Sequence, residues 1–457
     1  MLALKTWISL IGAFGLLAHT AAFAELSQQQ IDAVYAAQQQ NEPTILSRNS
    51  DGSVTVRGEL LEQELAPLGL ATDEAELYWV ANEADEARDA SLLQGAVVSF
   101  QHLTGTVYES GSAVFTRRDD GLYEGEVFDL SGTYAIVADA EGNRLVQPSL
   151  DTPTHAGDYF DYQDTLQRRG DAGQRLTVLG ALEQQGSGES ATIDVLVLLS
   201  AEHGGQYNWL DYQLPRANAT LNNAFERQGI PARFEIIGQE EVTYFGTGDL
   251  HRDLDNAIYS RGFSGETVQQ KAARYGADIT VLVVRDGNYC GVAPLLAKRE
   301  TAITVIKGSC LHWGHGYAHE IGHLLGAGHN PEDGKGVFDY SHGHYAASGA
   351  FRTIMAYQRA GAPTSSYPLI PYFSDPNTLI GSNQEPAGSA KADNVRTIRQ
   401  FVTRIANLRQ RTDGDAAPAA TPSQPTEPAP KKKSGGGSIG GAFIVGLLGL
   451  GLFGRRR

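Results

Sequence analysis

Cysteine is almost missing from this 457-residue chain: Cys290 and Cys310 are the only two, and none precedes them. Methionine is equally scarce, confined to Met1 and Met355. Basic residues are outnumbered, 36 Lys and Arg against 53 Asp and Glu, for a formal charge of −17. That balance, with no basic, aromatic-rich patch, argues against a nucleic-acid partner and suits a soluble exported protein. No D-x-D-x-D-G loop is present, so bound Ca²⁺ is possible but has no local support. The N-terminus has no apolar run long enough for a lasting anchor. Residues 7–17 follow Lys5 and lead to Ala22-Phe23-Ala24. This is the pattern of a signal peptide over residues 1–24, cut before Glu25. In an exported chain, two cysteines this close are expected to form one disulfide, the alternative being two free thiols.

The composition is otherwise globular, 41% hydrophobic and 19% charged, and the length allows two or three domains. Its most informative stretch is His319-Glu320-Ile321-Gly322-His323-Leu324-Leu325-Gly326-Ala327-Gly328-His329. On a helix, His319 and His323 lie one turn apart and project from one face, so both can hold one metal ion. Gly326 allows the chain to turn out of the helix with positive φ. His329 can then return as a third ligand. Three nitrogens and an open position describe a catalytic Zn²⁺ site. Glu320, beside the first ligand, is placed to act as general base. The competing view is an exposed helix that carries its histidines by chance.

A second signal lies downstream at Thr353-Ile354-Met355-Ala356-Tyr357. With the zinc motif, it resembles the metzincin zinc endopeptidases, in which a methionine turn forms an apolar floor beneath the histidines. Without that motif, Met355 would read as a core methionine. The resemblance implies for Tyr357 a role as fifth ligand or oxyanion stabiliser, against that of a buried aromatic. It also makes the lack of an upstream cysteine meaningful, since no thiolate can cap the zinc. The similarity is closest to bacterial reprolysin-like peptidases, including the peptidyl-Asp metalloendopeptidase group. It rests on IDVLVLL at 193–199, Cys290-Gly291-Val292-Ala293, Cys310, Arg352 to Tyr357, Pro371-Tyr372-Phe373-Ser374-Asp375-Pro376 and Ala392-Asp393-Asn394, and covers about 190–410. A preference for Asp on the primed side would need a cationic pocket. Arg352, Arg359 and Lys391 are the candidates, against ordinary solvated charges.

The rest of the chain supplies context. Residues 26–40 look helical. Short alternating runs around Val54, Val97, Val114, Val127 and 134–137 are punctuated by Asp51-Gly52, Asp120-Gly121 and Glu141-Gly142. Residues 25–190 are thus expected to form a small β-rich propeptide or accessory domain, with 166–190 as linker and processing site. Residues 191–411 are expected to be an α/β catalytic domain: a mixed twisted sheet with an active-site helix at about 316–325. Strands are expected at 193–199, 234–237, 279–284 and 302–306, the last as the edge that aligns substrate, and a helix is expected around Leu214 to Phe225. Val395, Ile398, Val402, Ile405 and Leu408 share one face of a final helix. His312 and His315 precede the motif; His315 is expected at the surface, the alternative being a partner to one of the ligands, and His342 and His344 are expected in a loop near the cleft. Asn218-Ala219-Thr220 is a sequon inside a helix.

Residues 412–434 form a Pro/Ala-rich linker. The tail 435–457 has Gly435-Gly436-Gly437, an apolar stretch at 439–453 and Arg455-Arg456-Arg457. It resembles the GlyGly sorting signals processed by rhombosortases in Gram-negative bacteria. The short helix would associate transiently with the inner membrane, its basic end cytoplasmic, the alternative being a permanent anchor. The expectation is an exported zinc endopeptidase acting on proteins or peptides, processed by signal peptidase and a rhombosortase, then secreted or held at the cell surface. The alternative is an adhesion protein that keeps the fold without catalysis.

Overall fold

The computed structural model describes residues 26–38, 40, 42–71, 75–81, 92–129, 132–139, 142–146, 159–160, 190–203, 210–313, 315–334, 336–357, 367–381 and 383–412. The signal peptide, the segment 161–189, Arg359, most of the Pro/Ala linker and the sorting tail lie outside them. No helix among the described residues is long and apolar enough to cross a membrane. The expected span at 439–453 is not among those residues.

Helix α1, Gln28–Gln38, opens the chain. Nine strands then build one antiparallel sheet: β1 Leu46–Arg48, β2 Val54–Val56, β3 Leu65–Ala71, β4 Ala75–Ala81, β5 Leu92–Gln101, β6 Val107–Arg117, β7 Tyr123–Asp129, β8 Gly132–Asp139 and β9 Gly142–Val146. The order is β1-β2-β9-β8-β7-β6-β5-β4-β3. A short helix α2, Gly58–Leu61, joins β2 to β3. The turn glycines Gly52, Gly121 and Gly142 all have positive φ, which is why those pairs punctuate the strands. Ile45 N–H donates to Pro67 O (2.9 Å), which draws the two edges of the sheet together. Trp79, Val97, Phe115, Val127 and Ile136 fill the interior.

The second sheet has the order β10-β14-β15-β13-β11-β12. Its strands are β10 Tyr159–Phe160, β11 Ala191–Ser200, β12 Ala232–Val242, β13 Ile279–Val284, β14 Gly291–Pro294 and β15 Ile303–Lys307. β11 pairs in parallel with β12 and β13, and β13 pairs in parallel with β15, so these strands need helical crossovers. The helices are α3 Leu210–Arg227, α4 Leu250–Tyr259 and α5 Val268–Tyr275. They cover both faces, which explains the continuous apolar run of β11. Ile193, Val195 and Val197 face Leu214, Ala217, Leu221 and Phe225 of α3. Leu196 and Leu198 face Leu250 and Leu254 of α4. Asp249 caps α4, and Thr267 with Gln270 forms a capping box on α5.

Two expectations, one about this sheet and one about the final helix, need correcting. The stretch at 302–306 is not the edge: β15 lies inside, between β13 and β14. Within residues 191–411 the outermost strand is β14, antiparallel to β15, and β10 pairs onto its other side. Four residues containing Gly and Pro carry too little pattern to be seen as a strand, whereas the apolar run of β15 reflects burial on both faces. The final helix α7, Asn394–Ile405, buries Val395, Ile398, Val402 and Ile405 but stops before Leu408, which packs partly buried against the same core.

The β-rich region also contributes to the second sheet. β10 pairs in parallel with β14, Tyr159 opposite Ala293 and Phe160 opposite Pro294. The first sheet also meets α3 through ion pairs. Arg216 of α3 lies 3.7 Å from Glu124, which Arg118 of the same sheet region also reaches (3.0 Å), and Arg227 of α3 pairs with Glu109. Phe128 joins Phe351, Ile370 and Tyr372 in a shared apolar cluster.

Candidate metal centre

Helix α6, His315–Leu324, is buried along its whole length. It carries His319, Glu320 and His323 and ends at Gly326, whose φ of +89° turns the chain back toward His329. His319, His323 and His329 are all buried, and their ligand atoms lie within 4.8 Å of one another. His319 Nε2 and His329 Nε2 are 3.0 Å apart. Two nitrogens bound tetrahedrally at about 2.1 Å would stand roughly 3.4 Å apart, so the spacing fits one zinc ion. His319 Nδ1 bonds Ile354 O and His323 Nδ1 bonds Ala327 O, both at 2.9 Å. These carbonyls accept from Nδ1–H and leave Nε2 as the metal-facing lone pair, the usual way a protein fixes a ligating tautomer.

Met355 lies under the helix. A Cβ on Gly322 would come within 2.7 Å of Met355 Sδ and 2.9 Å of Phe373 Cε1. The glycine inside the motif therefore lets the helix settle onto Met355, itself fully buried. The neighbouring carbonyl, Ile354 O, is the one that orients His319. Tyr357 follows, its ring centroid 4.1 Å from that of His329. Tyr357 N–H donates to Asn330 Oδ1 (3.0 Å), which ties the end of this turn to the residue after His329.

The loop that carries His329 is held from behind. Asn394, at the start of α7, accepts from Gly328 N–H (3.1 Å) and donates to Gly328 O (2.9 Å). His342 Nδ1 bonds His329 O at 2.8 Å. His342 is thus buried behind the ligand loop, and the three-histidine group is the only metal-capable cluster of its kind among the described residues.

Glu320 is fully buried beneath the edge strand. A Cβ on Gly291, the first residue of β14, would lie 2.5 Å from Glu320 Cγ and 2.6 Å from its Oε1. Only glycine lets this edge strand pass so close to the carboxylate. Cys290, next to it, forms the expected disulfide with Cys310, Cα–Cα 5.4 Å, fixing the start of β14 to the turn before α6.

The expectation for His315 is overturned. It is buried, its Nε2 3.3 Å from Glu126 Oε1 of the first sheet. The partner lies in a distant part of the chain, so no local pattern marks it. Of the candidate cations, Lys391 is exposed and Arg352 is buried.

Residues 215–330 match the model of the reprolysin-like metallo-peptidase family M12B. Over 233 residues the chain is 31% identical to a peptidyl-Asp metalloendopeptidase of Xanthomonas campestris pv. campestris, a match covering 50% of this chain and 54% of that protein. A peptidyl-Asp metalloendopeptidase of Stenotrophomonas maltophilia is 30% identical over 240 residues, 50% of this chain and 55% of the relative. The chain spans about half the length of these curated relatives. A solved structure described as a chaperone-substrate complex is 16% identical with a TM-score of 0.40, covering 65% of this chain and 41% of that one; so loose a likeness bears on nothing further.

Proposed function

We propose that this chain, which carries a reprolysin-like M12B metallopeptidase domain at residues 215–330, is an exported zinc-dependent endopeptidase made as a latent precursor. The observation that carries the proposal is the convergence of three buried histidines, two with Nδ1 tied to a carbonyl, beside a buried glutamate on the same helix. His319, His323 and His329 would hold the ion. Zinc there would supply Lewis acidity, making water a nucleophile near neutral pH and polarising the scissile carbonyl.

The chain's own groups do the rest. Glu320 takes the proton of the attacking water and returns it to the leaving amine. Tyr357, its ring tilted against that of His329, steadies the oxyanion through its hydroxyl. An extended substrate adds as a strand to β14, drawing affinity from main-chain hydrogen bonds. The relatives are named for peptidyl-Asp bonds, and we extend that preference to this chain.

Residues 25–190 act as a propeptide in this view. β10 already occupies the open edge of β14, which denies that edge to substrate. Cleavage within 166–190 would release it, signal peptidase would remove residues 1–24, and a rhombosortase-type enzyme would remove the tail.

The test is digestion of a peptide library by the purified zinc-loaded chain, before and after trace trypsin, with and without a chelator. Cleavage that appears after trypsin and vanishes with the chelator is the expected outcome. No cleavage in any form, with zinc bound, would sink the enzyme reading. Full cleavage before trypsin would sink the latency.

A further inference from the structure

We propose that Arg352 selects an acidic side chain on the primed side of the scissile bond by pairing with its carboxylate next to the methionine turn. This rests on the endopeptidase reading above and names the residue behind its specificity.

Arg352 is only 3% exposed. Its backbone is held twice by one stretch: Arg352 N–H donates to Pro368 O, and Ile370 N–H donates to Arg352 O, both at 2.9 Å. An isolated bridge to Tyr345 adds a third tie. The side chain therefore leaves a fixed point. Its Nη1 donates to Ala356 O at 2.7 Å. Ala356 follows Met355, and Ile354 O is the acceptor that orients His319. The guanidinium is thus tied to the methionine turn, whose Ile354 carbonyl orients His319.

What it lacks is an anion. Among the described residues no carboxylate pairs with Arg352, and its Nε, also buried, has no hydrogen-bond acceptor. Burial pushes the guanidinium down to about 10, with the Tyr345 phenol the only opposing influence. Arg216, the other arginine as deeply buried among the described residues, differs in this respect: it faces Glu124. A buried cation without a counter-charge is costly and is relieved when an anion arrives. A guanidinium presents five donors in a planar fork, of which the tie to Ala356 uses one. An aspartate carboxylate matches two more and restores neutrality. Asparagine has the same shape without the charge, so it should be discriminated against on the order of 100-fold.

The experiment uses the trypsin-activated, zinc-loaded full chain with peptides that differ only at the residue after the scissile bond: Asp, Asn or Leu. For the unsubstituted protein the ratio of kcat/KM for Asp over Asn is expected near 100. In Arg352→Met that ratio falls to about 1, chiefly through KM for the Asp peptide, while the Leu peptide is cleaved within about threefold of the original rate. Were Arg352 only a brace for the turn, all three peptides would slow together with the ratio intact, and the proposal would be overturned. If Arg352→Met does not fold, Arg352→Lys keeps the charge without the fork. It should bind zinc normally and lose about tenfold in the ratio, and an unchanged ratio would again overturn the proposal. A flat ratio in the unsubstituted protein overturns it without any variant, and leaves the endopeptidase reading standing. Failure to cleave any peptide in any form removes both.

Discussion

Gly291→Ala gives a sharp test of how β14 and Glu320, the proposed base, share their space. The new methyl would stand 2.5 Å from Glu320 Cγ and 2.6 Å from Oε1. Carbon atoms in contact keep about 3.5–4.0 Å, so the pair must separate by roughly 1 Å. β14 is held on one side by β15 and at its start by the disulfide, so the carboxylate is the part that yields. A displacement of about 1 Å in a catalytic group costs on the order of 100-fold in rate, equivalent to about 2.7 kcal/mol of transition-state stabilisation. Zinc binding should be unaffected, because the three atoms nearest the added methyl all belong to Glu320 and none to a histidine. The assay is kcat on a single peptide alongside zinc stoichiometry. A full complement of zinc with kcat reduced about 100-fold is expected. An unchanged kcat would refute the placement of Glu320 as base, and loss of zinc would show that the strain reaches the ligands instead.

Three further perturbations address other parts of the structure. Asn394→Ala removes the two side-chain hydrogen bonds to the Gly328 backbone, leaving Gly328 N–H unmet while Gly328 O keeps Gly343 N–H, and is expected to cost about 1–3 kcal/mol of stability and to weaken zinc binding about tenfold, measured by thermal melting and competition with a chelator. Replacing Cys290 and Cys310 by serine opens a loop spanning a separation of 20 residues, for an expected loss of about 3 kcal/mol in the melting analysis; an unchanged melting point would show that the closed loop constrains nothing. Burial holds Glu126 up at about 8 from an ordinary 4.5, opposed by Arg216. A carboxyl with a raised pKa in the folded chain favours folding fully below 4.5 and loses that contribution as pH rises through about 8. Glu126→Gln should therefore flatten the fall in melting temperature between pH 5 and 9, and an unaltered pH profile would contradict this burial effect.

The metal centre was largely legible because its information is local. Two histidines one turn apart, a glycine that permits positive φ and a third histidine form a pattern within eleven residues, and Met355 stood out by scarcity. The apolar run of β11 and the glycine turns of the first sheet were readable for the same reason. Helices α4 and α5 carry local signals too, an Asp249 cap and the Thr267-x-x-Gln270 box, and closer attention to caps would have found them. Other features depend on what packs against them. β14 is too short to show periodicity, and Gly291 shows its purpose only when Glu320 lies above it. His315 and Arg352 are polar residues whose burial depends on distant segments, Glu126 for one and the 367–370 strand-like stretch for the other.

The central claim is that Glu320 is the base beside a three-histidine zinc site, and Glu320→Ala tests it most directly. The trypsin-activated variant would be compared with the unsubstituted protein for bound zinc and for peptide cleavage. One zinc per chain with cleavage lowered by at least about 100-fold is the expected result. Cleavage at the original rate with zinc in place would contradict the mechanism.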